Sequence, residues 1–150
     1  MVSFTIDNKT VCAPDGSNLL EAARSNGIDI PGLCYHRKLT PTGACRLCLV
    51  KIEGVKGMVT SCTVTVSEGM KVTAFDREIE ETRMFLLNYL LYEHNDTWDG
   101  TYPDELRELV FRYGLDKPEK RDLKPVWEKI DFKKDDSSPV LTYDPTNHIS

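Results

Sequence analysis

Five cysteines occur in the 150 residues, and four of them lie in one stretch. Cys34, Cys45, Cys48 and Cys62 are spaced C-x10-C-x2-C-x13-C. Thiolates are soft ligands, and four of them this close in sequence point to a tetrathiolate metal site. Two metals suit such a donor set: zinc, and iron in an iron–sulfur cluster. The first would make the site structural and the second would make it a redox centre. Zinc modules usually show two C-x2-C pairs, whereas this chain has one, Cys45 with Cys48. The residues between the thiols bear on the same question. Sulfurs with negative charge are stabilised by backbone N–H groups, provided no side chain stands in the way. Gly43 and Ala44, just before Cys45, allow that approach. Arg46 adds a cation beside the thiols, for charge compensation or partner contact, or as a plain exposed loop residue.

The elements around this loop must position it. Residues 2–6 alternate apolar and polar as a half-buried strand does, Asp7-Asn8-Lys9 supplies turn chemistry, and residues 10–13 return as a second strand. Cys12 lies on that return strand, and the expectation for it is a small core hydrophobe rather than a ligand. Ser17 or Asn18 caps a short helix, with Asn18 and Glu21 spaced as in a capping box. Leu19, Leu20, Ala22 and Ala23 form its buried stripe, and Asn26-Gly27 ends it. A connector then leads through Pro31-Gly32-Leu33 into Cys34. Residues 49–53 read as a strand, 54–57 as its turn, and 58–62 as the partner strand, which brings Cys62 back beside Cys48. A further short strand follows at residues 70–72. Two hairpins on one helix predict an α+β fold, a small mixed sheet of the β-grasp kind.

From Asp76 the apolar period changes to that of a helix, marked by Ile79, Met84, Leu86, Leu87, Leu90 and Leu91 and ending near His94. A second helix is expected from Pro103, with Leu106, Leu109, Val110 and Tyr113 inward and Gly114 at its end. The expected organisation is a cluster-bearing domain over residues 1–75, a helical segment over 76–114 and an extended C-terminal arm over 115–150.

Composition is that of a globular protein, 40% hydrophobic and 29% charged. No apolar run is long enough for a membrane span, and residues 1–4 open no signal peptide. The expectation is a cytoplasmic protein with reduced thiols. The net charge of -5 is uneven. Residues 1–75 balance at +2 and residues 76–150 at -7, an acidic half that is either a solvated surface or a docking patch. The absence of a basic stripe argues against nucleic acid as a partner.

Three stretches now carry a recognisable pattern. They are Pro31-Gly32-Leu33-Cys34-Tyr35-His36, Gly43-Ala44-Cys45-Arg46-Leu47-Cys48-Leu49-Val50, and Val59-Thr60-Ser61-Cys62. Together they resemble the N-terminal 2Fe-2S domain of the family comprising the large iron–sulfur subunit of respiratory complex I, the iron-only hydrogenases and the NAD-dependent formate dehydrogenases. The resemblance covers residues 1 to about 75. It implies a ferredoxin-like β-grasp fold and one 2Fe-2S cluster with Cys34, Cys45, Cys48 and Cys62 as ligands. In that family a long helix leads to a His-x3-Cys-x2-Cys-x5-Cys site for a 4Fe-4S cluster. Here His94 stands in the histidine's place, but residues 95–101 contain no cysteine. Residues 138–147 are similar to the stretch leading into the family's double 4Fe-4S module, with His148 where its first cysteine would be. The resemblance therefore implies a member reduced to one cluster, without a catalytic domain.

The function expected on this basis is a one-electron relay between a flavin- and NAD(P)H-oxidising subunit and a partner oxidoreductase such as a hydrogenase or formate dehydrogenase. No base, nucleophile or open metal position is evident, so the chain is read as a non-catalytic subunit. The rivals are a structural zinc module, a catalytic oxidoreductase subunit and a redox-inactive interaction module. The second would require a Gly-rich dinucleotide loop that the sequence lacks, and the four intact cysteines argue against the third.

Overall fold

The structure, a computed structural model, describes residues 1–93 and 105–115. The chain divides into two compact units, Met1–Leu86 and Leu87–Ser150. The expectations for His94, for residues 95–104 and for residues 116–150 lie outside the described residues.

The first unit begins with a hairpin of β1 (Val2–Ile6) and β2 (Lys9–Ala13), paired in register from Val2 with Ala13 to Ile6 with Lys9. Its two-residue turn needs left-handed backbone at both centre positions, and Asp7 (φ 49°) and Asn8 (φ 65°) adopt it. Helix α1 (Leu19–Ser25) follows. Asn18 caps it by accepting from the N–H groups of Leu20 and Glu21, and the left-handed Gly27 (φ 73°) lies just past its end. Next come β3 (Leu49–Ile52) and β4 (Met58–Thr60), a hairpin closed through residues 53–57. Finally β5 (Lys71–Thr73) inserts between the hairpins, parallel to β1 and antiparallel to β3. The sheet order β2-β1-β5-β3-β4 thus joins two locally formed hairpins through one late strand.

Phe4, Ile6, Val11, Leu19, Leu20, Ile30, Val50 and Val72 fill the core, each at most 3% exposed. At about 1.5–3 kcal/mol for each fully buried large apolar side chain, this layer supplies most of the drive to fold. Cys48 and Cys62 belong to the same buried cluster, so half of the thiol set is anchored in the core.

Cys12 does not meet its expectation. It is exposed, because Val11 and Ala13 on either side point into the core and the strand alternates. Residues 61–62 also depart from the strand expected there. The chain leaves β4 at Thr60 and makes a single 3-10 turn, Ser61–Thr63, which carries Cys62 inward.

Helix α2 (Arg77–Glu93) starts from Asp76, whose carboxylate accepts from the Ile79 N–H at 2.8 Å. Its most buried line is Ile79, Arg83 and Leu87, one residue every helical turn. Met84, expected on the buried stripe, is 40% exposed because it lies about 100° round the helix from Arg83. In the second unit α3 (Glu105–Arg112) buries Leu106 and Val110, and Gly114 (φ 66°) follows its end. Among the described residues no helix is long and apolar enough to cross a membrane.

Candidate metal centre

The four thiols arrive on two segments. Cys34, Cys45 and Cys48 lie on the long loop between α1 and β3, and Cys62 lies in the 3-10 turn after β4. The β3–β4 register sets Leu49 against Thr60, and the Ser61 N–H donates to the Cys48 carbonyl at 2.9 Å, so Cys48 and Cys62 become neighbours. Asn18 completes the clamp: its Nδ2 donates to the Cys62 carbonyl at 2.6 Å while its Oδ1 caps α1. On the other side Arg24 donates to the Ile30 carbonyl, holding the connector that leads into Cys34.

Within this frame the Cys45 N–H donates to Cys34 Sγ at 3.4 Å and the Leu33 N–H donates to Cys45 Sγ at 3.5 Å. Cys48 and Cys62 adjoin through the Ser61 N–H on the Cys48 carbonyl. Cys34 is exposed and Cys45 half-buried, while Cys48 and Cys62 are buried. Among the described residues no three Cys, His, Asp or Glu side chains are grouped as ligands of one ion.

Backbone donors ring the outer pair. The N–H groups of Cys45 and Ala44 point at Cys34 Sγ, and those of Leu47, Leu33 and Cys34 point at Cys45 Sγ. Burial pushes the Cys34 thiol up, but these donors, the Cys45 thiol and the Thr42 hydroxyl outweigh it and the net shift is downward. At Cys45 burial prevails and the shift is upward. Burial, the hydrogen bond with Cys48 and the charges of Cys48, Cys34 and Cys45 push the Cys62 thiol up to about 12. Four thiolates in this space would repel one another, and iron held by them would supply the compensating positive charge, since metal binding releases thiol protons and adds to the stability of the site.

Gly43 sits where the backbone must pass close to the turn after β4. Gly43 has φ 64°, and a Cβ there would stand 3.1 Å from Thr60 Oγ1 and 3.4 Å from Thr63 Cγ2. Arg46 also has a left-handed backbone (φ 54°), with its side chain exposed at the edge of a groove that includes Leu49, Met58 and Phe85.

Two contributors escape a reading of motifs. One is the second hydrogen bond of Asn18, to a loop forty-four residues away. The other is Arg83, fully buried on α2, which donates to the Leu47 and Leu49 carbonyls on either side of Cys48. Its position on the line Ile79–Arg83–Leu87 was the available signal: a charged residue at the centre of an apolar stripe needs a buried partner.

A mixed five-stranded sheet grasping one helix, with four thiols on the adjoining loops, defines a ferredoxin-like iron–sulfur domain. Comparison with known proteins agrees. Residues 1–76 match the model of the 2Fe-2S iron–sulfur cluster binding domain, and the chain belongs to that family. A 2Fe-2S cluster is accordingly its cofactor, and four soft thiols are a donor set of the chemistry it needs. The chain is 36% identical over 144 residues to one of the subunits of an NADH-quinone oxidoreductase from Rhizobium meliloti, covering 94% of this chain and 16% of that protein. It is 42% identical over 94 residues to the alpha subunit of the NADPH-Fe(3+) oxidoreductase of Geobacter sulfurreducens, covering 63% and 11%. It thus spans about a sixth or less of these two relatives. A chain of an NAD+-reducing [NiFe]-hydrogenase crystal structure superposes with a TM-score of 0.82 at 28% identity, covering 99% of this chain and 62% of that one.

Proposed function

We propose that this chain is a single-cluster electron-transfer module and that Cys34, Cys45, Cys48 and Cys62 are the cluster's ligands. It relays one electron at a time between a flavin- and NAD(P)H-oxidising subunit and a partner oxidoreductase, of the hydrogenase or formate dehydrogenase kind. The observation that carries this reading is the gathering of four thiols from one loop and the turn after β4, within residues that match the 2Fe-2S cluster binding domain. Two thiolates for each of two irons is the arrangement a 2Fe-2S cluster takes. When bound, the cluster takes up and returns a single electron.

The chain's own residues set the conditions for that exchange. The N–H groups of Leu33, Cys34, Ala44, Cys45 and Leu47 aim at the outer sulfurs and stabilise the extra negative charge of the reduced state. Cys48 and Cys62 keep water from the inner side. Cys34 reaches the surface, so electrons enter and leave on its side. Gly43, Ala44 and Arg46 serve as the outer shell: two small residues that admit the backbone donors, and a cation that offsets charge or meets the partner.

Within these 150 residues the remaining cysteine is Cys12, on a strand face away from the core, so no second four-thiol set exists here. We propose residues 1–75 as the cluster domain and the chain beyond them as the side that docks partners. Reduced thiols as ligands suit the cytoplasm. The relatives named above are subunits of oxidoreductases, which supports protein redox partners.

Anaerobic purification with iron, acid-labile sulfide and visible spectroscopy tests the reading. About two irons and two sulfides per chain, with a red-brown colour bleached by dithionite, are expected. A colourless protein carrying one zinc would overturn it in favour of a structural tetrathiolate module.

A further inference from the structure

We propose that Arg83 is a positioning residue for the cluster: its buried guanidinium holds both sides of Cys48 and raises the reduction potential of the bound cluster. The inference rests on the ligand assignment above. Arg83 is fully buried. Its Nε donates to the Leu47 carbonyl at 2.9 Å and its Nη2 to the Leu49 carbonyl at 2.8 Å. The residue between those two carbonyls is Cys48. The flat fork of a guanidinium spans two acceptors in fixed geometry, so helix α2 dictates the backbone on both flanks of an inner ligand. The Phe75 ring lies 5.0 Å from Arg83 Cζ and covers it further from water.

A clamp alone does not require a charge, since neutral donors satisfy carbonyls. A buried permanent cation is heavily disfavoured unless negative charge lies close by. Glu80 supplies part of that through Nη1 at 2.6 Å, but its side chain is 34% exposed and its charge is screened by water. The two carbonyls and the face of the Phe75 ring add to it. The bound cluster with its four thiolates, which carries net negative charge in both states and one more unit when reduced, would supply the rest. A buried positive charge beside Cys48 therefore favours the reduced form. Glu80 opposes it, which gives the two residues effects of opposite sign.

The test is the reduction potential of the purified, cluster-loaded chain, with thermal stability recorded in parallel. Arg83→Met should lower the equilibrium constant for one-electron reduction about tenfold, a potential about 59 mV more negative. Arg83→Lys keeps the charge and loses the fork, so its potential should stay within about twofold of the wild type in equilibrium constant while its melting temperature falls. Glu80→Gln leaves the clamp in place, removes the opposing charge and should raise the potential. A purely structural role moves stability and not potential. Equal potentials for the Met and Lys variants, or an unchanged or lowered potential in Glu80→Gln, would overturn the proposal. If Arg83→Met loses its cluster, the Glu80→Gln result decides alone. A wild-type chain without a 2Fe-2S spectrum overturns the ligand reading, whereas an intact spectrum with unmoved potentials overturns only the role of Arg83.

Discussion

Gly43→Ala probes whether the thiol loop is as tightly drawn as its geometry indicates. Two separable terms oppose the new methyl group. First, Gly43 has φ 64°, a left-handed conformation that disfavours any residue with a Cβ by about 1–2 kcal/mol. Second, the Cβ would approach Thr60 Oγ1 to 3.1 Å, closer than side chains normally allow. That hydroxyl cannot easily retreat, because it is held 2.7 Å from Thr63 Oγ1, and the Thr63 methyl stands on the same side at 3.4 Å. The expected total is about 2–3 kcal/mol, the second term adding about 1 kcal/mol as overpacking does. In a domain of this size each kcal/mol moves the melting temperature by about 4–8 °C.

Thermal melts and the rate of cluster loss to an iron chelator, both followed by visible absorbance, would record the effect. Thr60→Ala separates the terms. It removes the oxygen that the methyl would meet, so in the Thr60→Ala background Gly43→Ala should retain only the backbone term of about 1–2 kcal/mol. Unchanged melting and cluster retention in Gly43→Ala would refute the close approach of this loop to the 3-10 turn. An equal effect in both backgrounds would refute the contact with Thr60 and leave the backbone term standing.

Cys48→Ser should abolish the visible spectrum or shift it strongly, while Cys12→Ser should leave it unchanged, since Cys12 is exposed on β2; loss of the cluster in the Cys12 variant would refute the ligand assignment. Asn18→Asp keeps the cap on α1 but removes the donor to the Cys62 carbonyl, so it should destabilise the protein by about 1–3 kcal/mol and speed cluster loss to a chelator. At Asp76, substitution by Asn retains the capping oxygen for Ile79 and gives up the ion pair with Lys51, and should change denaturant stability by less than about 1 kcal/mol. Asp76→Ala removes the cap as well and should be the more damaging variant, by about 1 kcal/mol in the same titration. Equal stability in the Asn and Ala variants would refute the capping role.

What the sequence disclosed was local. The Asp7-Asn8 turn, the Asn18 cap and the change of period at Asp76 each involve residues within a few positions of one another, and steric or hydrogen-bonding preference decides them. The thiol spacing was legible for a similar reason, since a hairpin of known length must return Cys62 to Cys48. Features decided by distant partners were hidden. Cys12 is apolar enough for a core, and only the register of β1 against β2 shows that Val11 and Ala13 take the inward places. The parallel pairing of β5 with β1 joins residues 71–72 to residues 5–6, and three-residue strands carry too little pattern to announce it. Arg83 is the clearest case. Its partners are carbonyls, which every residue possesses, so no side-chain motif marks them.

Arg46 shows how the site uses conformations that composition does not advertise. Left-handed backbone is uncommon for a residue with a long side chain, and it disfavours the local fold by about 1–2 kcal/mol. Yet at φ 54° Arg46 turns the chain between Cys45 and Cys48, and the next N–H, that of Leu47, points back at Cys45 Sγ. Gly43, three residues earlier, makes the corresponding turn before the N–H groups of Ala44 and Cys45 point at Cys34 Sγ. Two left-handed residues thus turn one short loop so that its N–H groups face the outer sulfurs, as anion-binding backbone commonly does. Glycine at position 46 would adopt the same turn more easily but would lack the cation.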